Sequence, residues 1–242
     1  IHSNQRPTIA KTRILSGHQQ MMRLDQENNS SCTAAENVQL SEIISQQLAL
    51  KPAIVILSDY AKGLLSSEVC QQVIAQCNVL NIPVLVDPKG HDYSKYSHAT
   101  ALTPNKKEAA EACATTTHDP DLIDKAAVLK DKLDLQFFVV TRGDEGISLI
   151  DDHAHLLPAT AKQVFDVSGA GDTVIATLAA GLMHDLSPLE SLQLANIAAG
   201  VVVGKVGTVP ITRDDLIEAL TSEQSSEQAH KVCDLAQLQQ KV

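Results

Sequence analysis

Apolar residues recur along this chain in two alternating rhythms. Short unbroken runs such as Ala53-Ile54-Val55-Ile56-Leu57, Val84-Leu85-Val86 and Phe137-Phe138-Val139-Val140 have the length and β-branched content of buried strands. Between them lie longer stretches with apolar residues every three or four positions, which predict helices near 34–50, 66–80, 105–113 and 121–134. A further short strand is expected at 99–102, and a hairpin at 146–150 and 155–157 that turns at Asp151-Asp152-His153. Helices near 171–184, 188–203 and 212–221 close the pattern. Strands alternating with helices imply an α/β domain on a mostly parallel central sheet covered on both faces. Ahead of this region, 8–25 reads as two strands joined by a turn at Ser16-Gly17-His18, a small β lid carrying Lys11, Arg13 and Arg23. One domain over 1–221 is expected, followed by a polar, linker-like tail over 222–242 with a short helix from about 233.

Composition narrows the chemistry. The 242 residues hold 19 Lys and Arg against 29 Asp and Glu, a net charge of −10, which argues against a nucleic-acid-binding surface, since that needs a basic stripe. A small anion remains compatible, because a few local cations suffice to hold one phosphate. No apolar run reaches the roughly 20 residues of a bilayer span, so no membrane partner is expected. Five scattered cysteines without a C-x-x-C pair speak against a disulfide framework or a structural zinc site, and fit a reducing cytoplasm.

The most informative string is Asp166-Val167-Ser168-Gly169-Ala170-Gly171-Asp172-Thr173, which leads directly into an apolar helix. Small residues allow close backbone approach to a ligand, and a helix start presents unpaired N–H groups and the positive end of its dipole. Gly169, Ala170 and Gly171 would thus form an anion hole, with Asp172 aimed at the same space as a general base. Read in isolation, Gly-Ala-Gly-Asp is equally a tight strand-to-helix turn with an acidic cap.

The full string resembles the C-terminal signature of the PfkB/ribokinase carbohydrate kinases. Other elements follow in that family's order. Asn105-Lys106-Lys107-Glu108 resembles its N-x-x-E element, although alone it is also a helix-capping pattern. Thr141-Arg142-Gly143-Asp144-Glu145-Gly146 resembles its T-x-G-x-x-G turn beside the nucleotide phosphates, although alone it is an ordinary hairpin loop. Asn196 and Gly200 lie on the helix that flanks adenine in the family. The loop over 203–208, with Asp166 and Ser168, resembles its monovalent-cation site. The resemblance implies a ribokinase-like fold, ATP as phosphoryl donor, Mg²⁺ positioned through water by Glu108, and K⁺ near Asp166 and Ser168. Lid strands that pair between two subunits are also implied.

Ser58-Asp59-Tyr60-Ala61-Lys62-Gly63, Asp87-Pro88-Lys89-Gly90, Leu102-Thr103-Pro104-Asn105, Lys11-Thr12-Arg13 and Gln19-Gln20-Met21-Met22-Arg23-Leu24-Asp25 extend the likeness to the heptose-7-phosphate kinases of that family. They imply transfer of the ATP γ-phosphoryl to C1 of a heptose 7-phosphate, in the synthesis of the ADP-heptose precursor of lipopolysaccharide. Lys62, Asp59, Arg13 and Arg23 would contact the sugar phosphate, and Lys89, Asn105, Glu108, Thr141, Gly143, Gly146 and Asn196 the nucleotide. Lys62 and Lys89 can also be read as solvated loop lysines, and the two arginines as the charged face of a flap. Another sugar acceptor, or a nucleotide-binding module without turnover, remains open.

Two decoys are set aside. Gly200-Val201-Val202-Val203-Gly204-Lys205 is one residue short of a P-loop and lacks the following Ser or Thr. His153 and His155 belong to a hairpin turn. The chain starts at Ile1 in what reads as mid-domain sequence, without the strand and Gly-Gly segment that open this family's kinases, so N-terminal truncation is expected. His230-Lys231-Val232-Cys233-Asp234-Leu235 resembles the linker to a nucleotidyltransferase domain in bifunctional heptose enzymes.

Overall fold

The computed structural model describes residues 3, 6–16, 19–161, 163–207 and 209–231. Gly17 and His18 of the expected lid turn, Thr208 of the expected cation loop and the expected short helix from 233 lie outside the described residues. The chain falls into two compact units, Ile1–Phe138 and Val139–Val242.

In the first unit, β1 (Ala10–Ser16) and β2 (Gln19–Gln26) form an antiparallel two-stranded sheet, with Arg13 directly opposite Arg23. The helices and strands then alternate as α1 (Ala34–Ala49), β3 (Val55–Ser58), α2 (Ser67–Val79), β4 (Val84–Asp87), β5 (Ala101–Leu102), α3 (Lys106–Ala112) and α4 (Asp119–Lys132). Strand β6 (Phe137–Thr141) follows. Parallel pairing joins β3 to β4, β4 to β5 and β5 to β6, with Ser58 beside Asp87 and Val86 beside Leu102. Val84, Leu85, Val86, Leu102 and Phe138 are completely buried, which explains why these strands read as unbroken apolar runs.

Local chemistry sets where the helices begin. Thr33 and Asn105 each accept from the backbone N–H three residues on while Glu36 and Glu108 reach back, so α1 and α3 both start on capping boxes. Ser66 caps α2 in the same way, without the returning carboxylate.

The second unit holds the hairpin β7 (Ile147–Ile150) and β8 (Ala154–Leu157), then α5 (Ala170–Met183), α6 (Pro188–Val203) and α7 (Arg213–Lys231). The strand order is β3-β4-β5-β6-β7-β8; the first three pairs are parallel and β7–β8 is antiparallel. Ser187 and Glu190 form the capping box of α6. Within the described residues the expected elements are present, with one difference in extent: α7 continues to Lys231, where a polar tail was expected from 222. Glu, Gln and Ala are good helix formers, so helix can persist there without an apolar stripe.

The turn between β6 and β7 separates two kinds of glycine. Gly146 has φ +91°, and a Cβ there would lie 2.0 Å from the Leu157 carbonyl oxygen. Gly143 has φ +64° but faces open space. Gly146→Ala is therefore expected to destabilise the protein by about 3 kcal/mol, and Gly143→Ala by only about 1 kcal/mol. Equal losses in denaturant unfolding would contradict the collision.

Candidate functional site

In the second unit, the Phe165 and Asp166 amides donate to the Val203 carbonyl at 2.8 and 3.3 Å, tying this segment to the end of α6. The Asp166 carboxylate accepts from the Ser168 amide at 2.9 Å, which closes a tight turn. Gly169 then takes φ +82°, the left-handed conformation that glycine adopts without steric cost, and serves as N-cap of α5 with no side-chain capping bond. By contrast, α1, α2 and α6 each start on a hydroxyl cap.

The first turn of α5 thus opens toward a cavity of about 350 Å³ lined by Ser168, Gly169, Asp172, Thr173, Thr177 and Ile211. Nothing lies within 4 Å of where a Gly171 Cβ would stand. The Ala170 amide donates to the Val167 carbonyl at 3.2 Å, so it is engaged within the turn. Asp172 is exposed in the first helical turn beside the positive end of the helix dipole.

A second cavity in this unit, about 520 Å³, is walled by Thr160, Phe165, Ile197, Gly200, Val201 and Ala219. A Cβ at Gly200 would meet Thr160 Oγ1 at 2.5 Å, so the side-chain-free position lets the segment after β8 approach α6. Asn196 turns away from this space: it is buried, and its Nδ2 donates to the Pro158 carbonyl at 2.7 Å. Its backbone carbonyl accepts from Thr160 Oγ1 at 3.1 Å. Asn196 therefore anchors the wall, while Ile197 and Gly200 line it. Sequence reasoning missed Phe165; an apolar aromatic next to a polar glycine loop was the available signal. Thr141 ends β6, and the Arg142 amide donates to the Gly146 carbonyl at 2.8 Å to close the turn over Gly143.

In the first unit, the loops after β3, β4 and β5 carry the expected residues. A cavity of about 500 Å³ is lined by Ile9, Lys11, Ile56, Asp59, Tyr60 and Lys62. Lys62 is hydrogen-bonded to Glu27, and Lys11 lies 3.3 Å from the same carboxylate. The Lys62 bond, foremost, holds the Glu27 carboxyl below the usual range. Arg13 and Arg23 face each other on the exposed hairpin, and Arg23 Nε pairs with Asp25 at 2.9 Å. Lys11 was not among the expected contacts, although it stands one strand position pair from Arg13 on the same face.

Lys89 bonds Glu108, and that bond raises the Lys89 ammonium above its ordinary value. The Glu108 carboxylate also accepts from the Asn105 amide at 3.1 Å. The capping box and the Lys89 contact therefore use one and the same carboxylate. Asp59 is buried, and its carboxylate accepts from the Ala61 amide, Lys95 and Tyr96. Among the described residues, no group of three His, Cys, Asp or Glu side chains could hold a metal ion.

The model of the pfkB family carbohydrate kinases matches residues 1–214. The bifunctional protein HldE of Methylobacillus flagellatus is 59% identical over 236 residues, covering 96% of this chain and 48% of that protein. HldE of Magnetococcus marinus is 46% identical over 240 residues, covering 97% and 49%. The chain spans about half the length of these curated relatives. Among solved structures, phosphofructokinase-2 from Escherichia coli in complex with potassium superposes with a TM-score of 0.71 at 19% identity, over 83% of this chain and 66% of that one. Ribokinase from Arabidopsis thaliana, complexed with ribose and ATP, gives a TM-score of 0.69 at 22% identity, over 90% and 70%. At such identities the likeness is one of fold, the ribokinase-like α/β fold.

Asp215 fixes the start of α7, which supplies Ala219 to the larger cavity. Its carboxylate accepts from Lys205 at 2.7 Å and from the Thr212 amide and hydroxyl, and the Lys205 bond, foremost, drives its pKa far below the ordinary 3.8. A depressed carboxyl stabilises the fold above its ordinary value and loses that contribution as pH falls through the lowered one. Asp215→Asn should therefore lower Tm at neutral pH, with the gap to the parent narrowing once pH drops below about 4. A pH-independent gap in thermal melts would sink this assignment.

Proposed function

This chain belongs to the pfkB family of carbohydrate kinases, and we propose that within it the chain transfers the γ-phosphoryl group of ATP to C1 of D-glycero-β-D-manno-heptose 7-phosphate. The product is the 1,7-bisphosphate, a step toward the ADP-heptose precursor of lipopolysaccharide, in the cytoplasm. The observation that carries the phosphotransfer reading is Asp172 on the first turn of a helix whose N-cap, Gly169, makes no side-chain capping bond. Such a helix start favours negative charge.

In this reading the Asp172 carboxylate accepts the proton of the C1 hydroxyl as its oxygen attacks the γ-phosphorus. The bond from that phosphorus to the β–γ bridging oxygen breaks, and ADP leaves with the electron pair. The backbone N–H groups of Gly169 and Gly171 face the charge on the group in transfer, with Gly171 offering the closest approach and the Ala170 amide held by the Val167 carbonyl. The cavity between Thr160, Phe165 and Gly200 has the apolar walls and the size suited to an adenine ring. Thr141, Gly143 and Gly146 shape the turn beside the donor phosphates.

Lys62, helped by Lys11, supplies positive charge for the phosphate already on the sugar, and Lys89 for the donor. Arg13 and Arg23 on the hairpin would close over the acceptor and exclude water. Asp59 stands in the floor of the same cavity.

One carboxylate, Glu108, suits a Mg²⁺ ion held chiefly by phosphates and water, since that ion dehydrates reluctantly. When bound, Mg²⁺ would neutralise charge on the donor phosphates. Asp166 and Ser168 would border a K⁺ site. The apolar face of the hairpin, with Ile14, Met22 and Leu24 exposed, supports pairing of two subunits through these strands.

Asp172→Asn keeps size and hydrogen bonding but removes the base. Turnover is expected to fall about 10²–10⁴-fold, while calorimetry finds ATP affinity nearly unchanged. Retention of turnover within tenfold of the parent would remove Asp172 from the role of base.

A further inference from the structure

Behind the two lysine-bearing loops of the first unit sits a buried cluster around Asp59 in which Lys95 and Tyr96 have so far been given no role. Tyr96 is completely buried and Asp59 nearly so, 5% exposed. The Tyr96 hydroxyl meets Asp59 Oδ2 at 2.6 Å, and Lys95 Nζ meets the same oxygen at 2.6 Å. Burial, and next the Asp59 bond, push the Tyr96 phenol far above its usual range, so it keeps its proton and donates it to Asp59. With its only hydrogen committed, the hydroxyl oxygen is left as an acceptor, and the Lys89 amide lies 3.3 Å away as the donor. The result is one directed chain, from Lys89 N–H through Tyr96 O–H to the Asp59 carboxylate.

The same carboxylate organises the other loop. Asp59 Oδ1 accepts from the Ala61 amide at 2.7 Å, where Ala61 holds a positive φ of 53°. Lys95 Nζ also reaches the Leu65 carbonyl at 3.4 Å, on the far side of Lys62. The Asp59 amide in turn donates to the Asp87 carbonyl at 2.9 Å, linking the ends of β3 and β4. A left-handed alanine carries strain, and the Asp59 carboxylate binds the Ala61 amide in that conformation.

We propose that Asp59, Lys95 and Tyr96 form a positioning network that fixes the Lys62 loop and the Lys89 turn relative to one another, so that acceptor-side and donor-side charges are set by one buried carboxylate. Asp59 then acts through its neighbours and not as a ligand of the sugar. The proposal rests on the reading of Lys89 as a donor-phosphate contact. Misplacement of such a group by about 1 Å is enough to slow phosphoryl transfer strongly.

Tyr96→Phe deletes one hydroxyl and keeps the ring. Two readouts test it, on the whole protein with MgATP and the sugar phosphate. First, hydrogen exchange at the Lys89 amide should accelerate about tenfold while core amides of β4 keep their protection; this is readable whether or not turnover is measurable. Second, Tyr96→Phe should lower kcat/KM for ATP about tenfold alone but have little effect in a Lys89→Met background, because the two act as a unit. Unchanged Lys89 exchange, or a Tyr96→Phe loss that adds in full to that of Lys89→Met, overturns the network. A Lys89→Met protein as active as the parent overturns the Lys89 reading itself, and the proposal with it.

Discussion

Parallel strand pairing is the constraint from which the arrangement of the first unit follows. Strands β3, β4 and β5 run in one direction, with Ser58 beside Asp87 and Val86 beside Leu102. Each strand therefore delivers its following loop to the same carboxyl-terminal edge. That single fact brings Asp59 and Lys62, Lys89, and Asn105 with Glu108 to one side of the sheet, although they are far apart in sequence. Ligands of open α/β sheets bind at that edge for this reason. In the second unit a left-handed Gly169 turns the chain so that α5 begins with Gly171 and Asp172 exposed.

Charge is handled locally in a chain whose overall balance is −10. Lys62 is held by Glu27, Lys89 by Glu108 and Lys95 by Asp59. An acidic protein can hold cations at chosen positions when each one has its own carboxylate, because the local field counts more than the sum.

Much of this was legible in the sequence because two signals agree. Buried parallel strands read as unbroken apolar runs, and Asn105 marks the start of α3 by the same chemistry that caps it in the structure. The glycine string before Asp172 was legible for the same reason, since its residues leave few backbone alternatives. Tertiary relations were not. Tyr96 reads as one more aromatic, and only packing reveals its hydroxyl between Lys89 and Asp59. Asn196 was read as facing the nucleotide, yet its amide serves the Pro158 carbonyl, because a neighbouring segment that sequence cannot place claims it first. Helix α7 outran its reading because apolar periodicity stops before propensity does. Nor could a string of elements reveal that the chain divides after Phe138.

The central claim is phosphoryl transfer to a phosphorylated heptose. The most direct measurement is ³¹P NMR of the protein incubated with MgATP and, in parallel, heptose 7-phosphate, fructose 6-phosphate, ribose and a ketogluconate. The account predicts ADP and a new anomeric phosphate resonance, formed with the heptose 7-phosphate far faster than with the others. Preferential phosphorylation of another sugar, or ATP consumption indifferent to the acceptor, would contradict it.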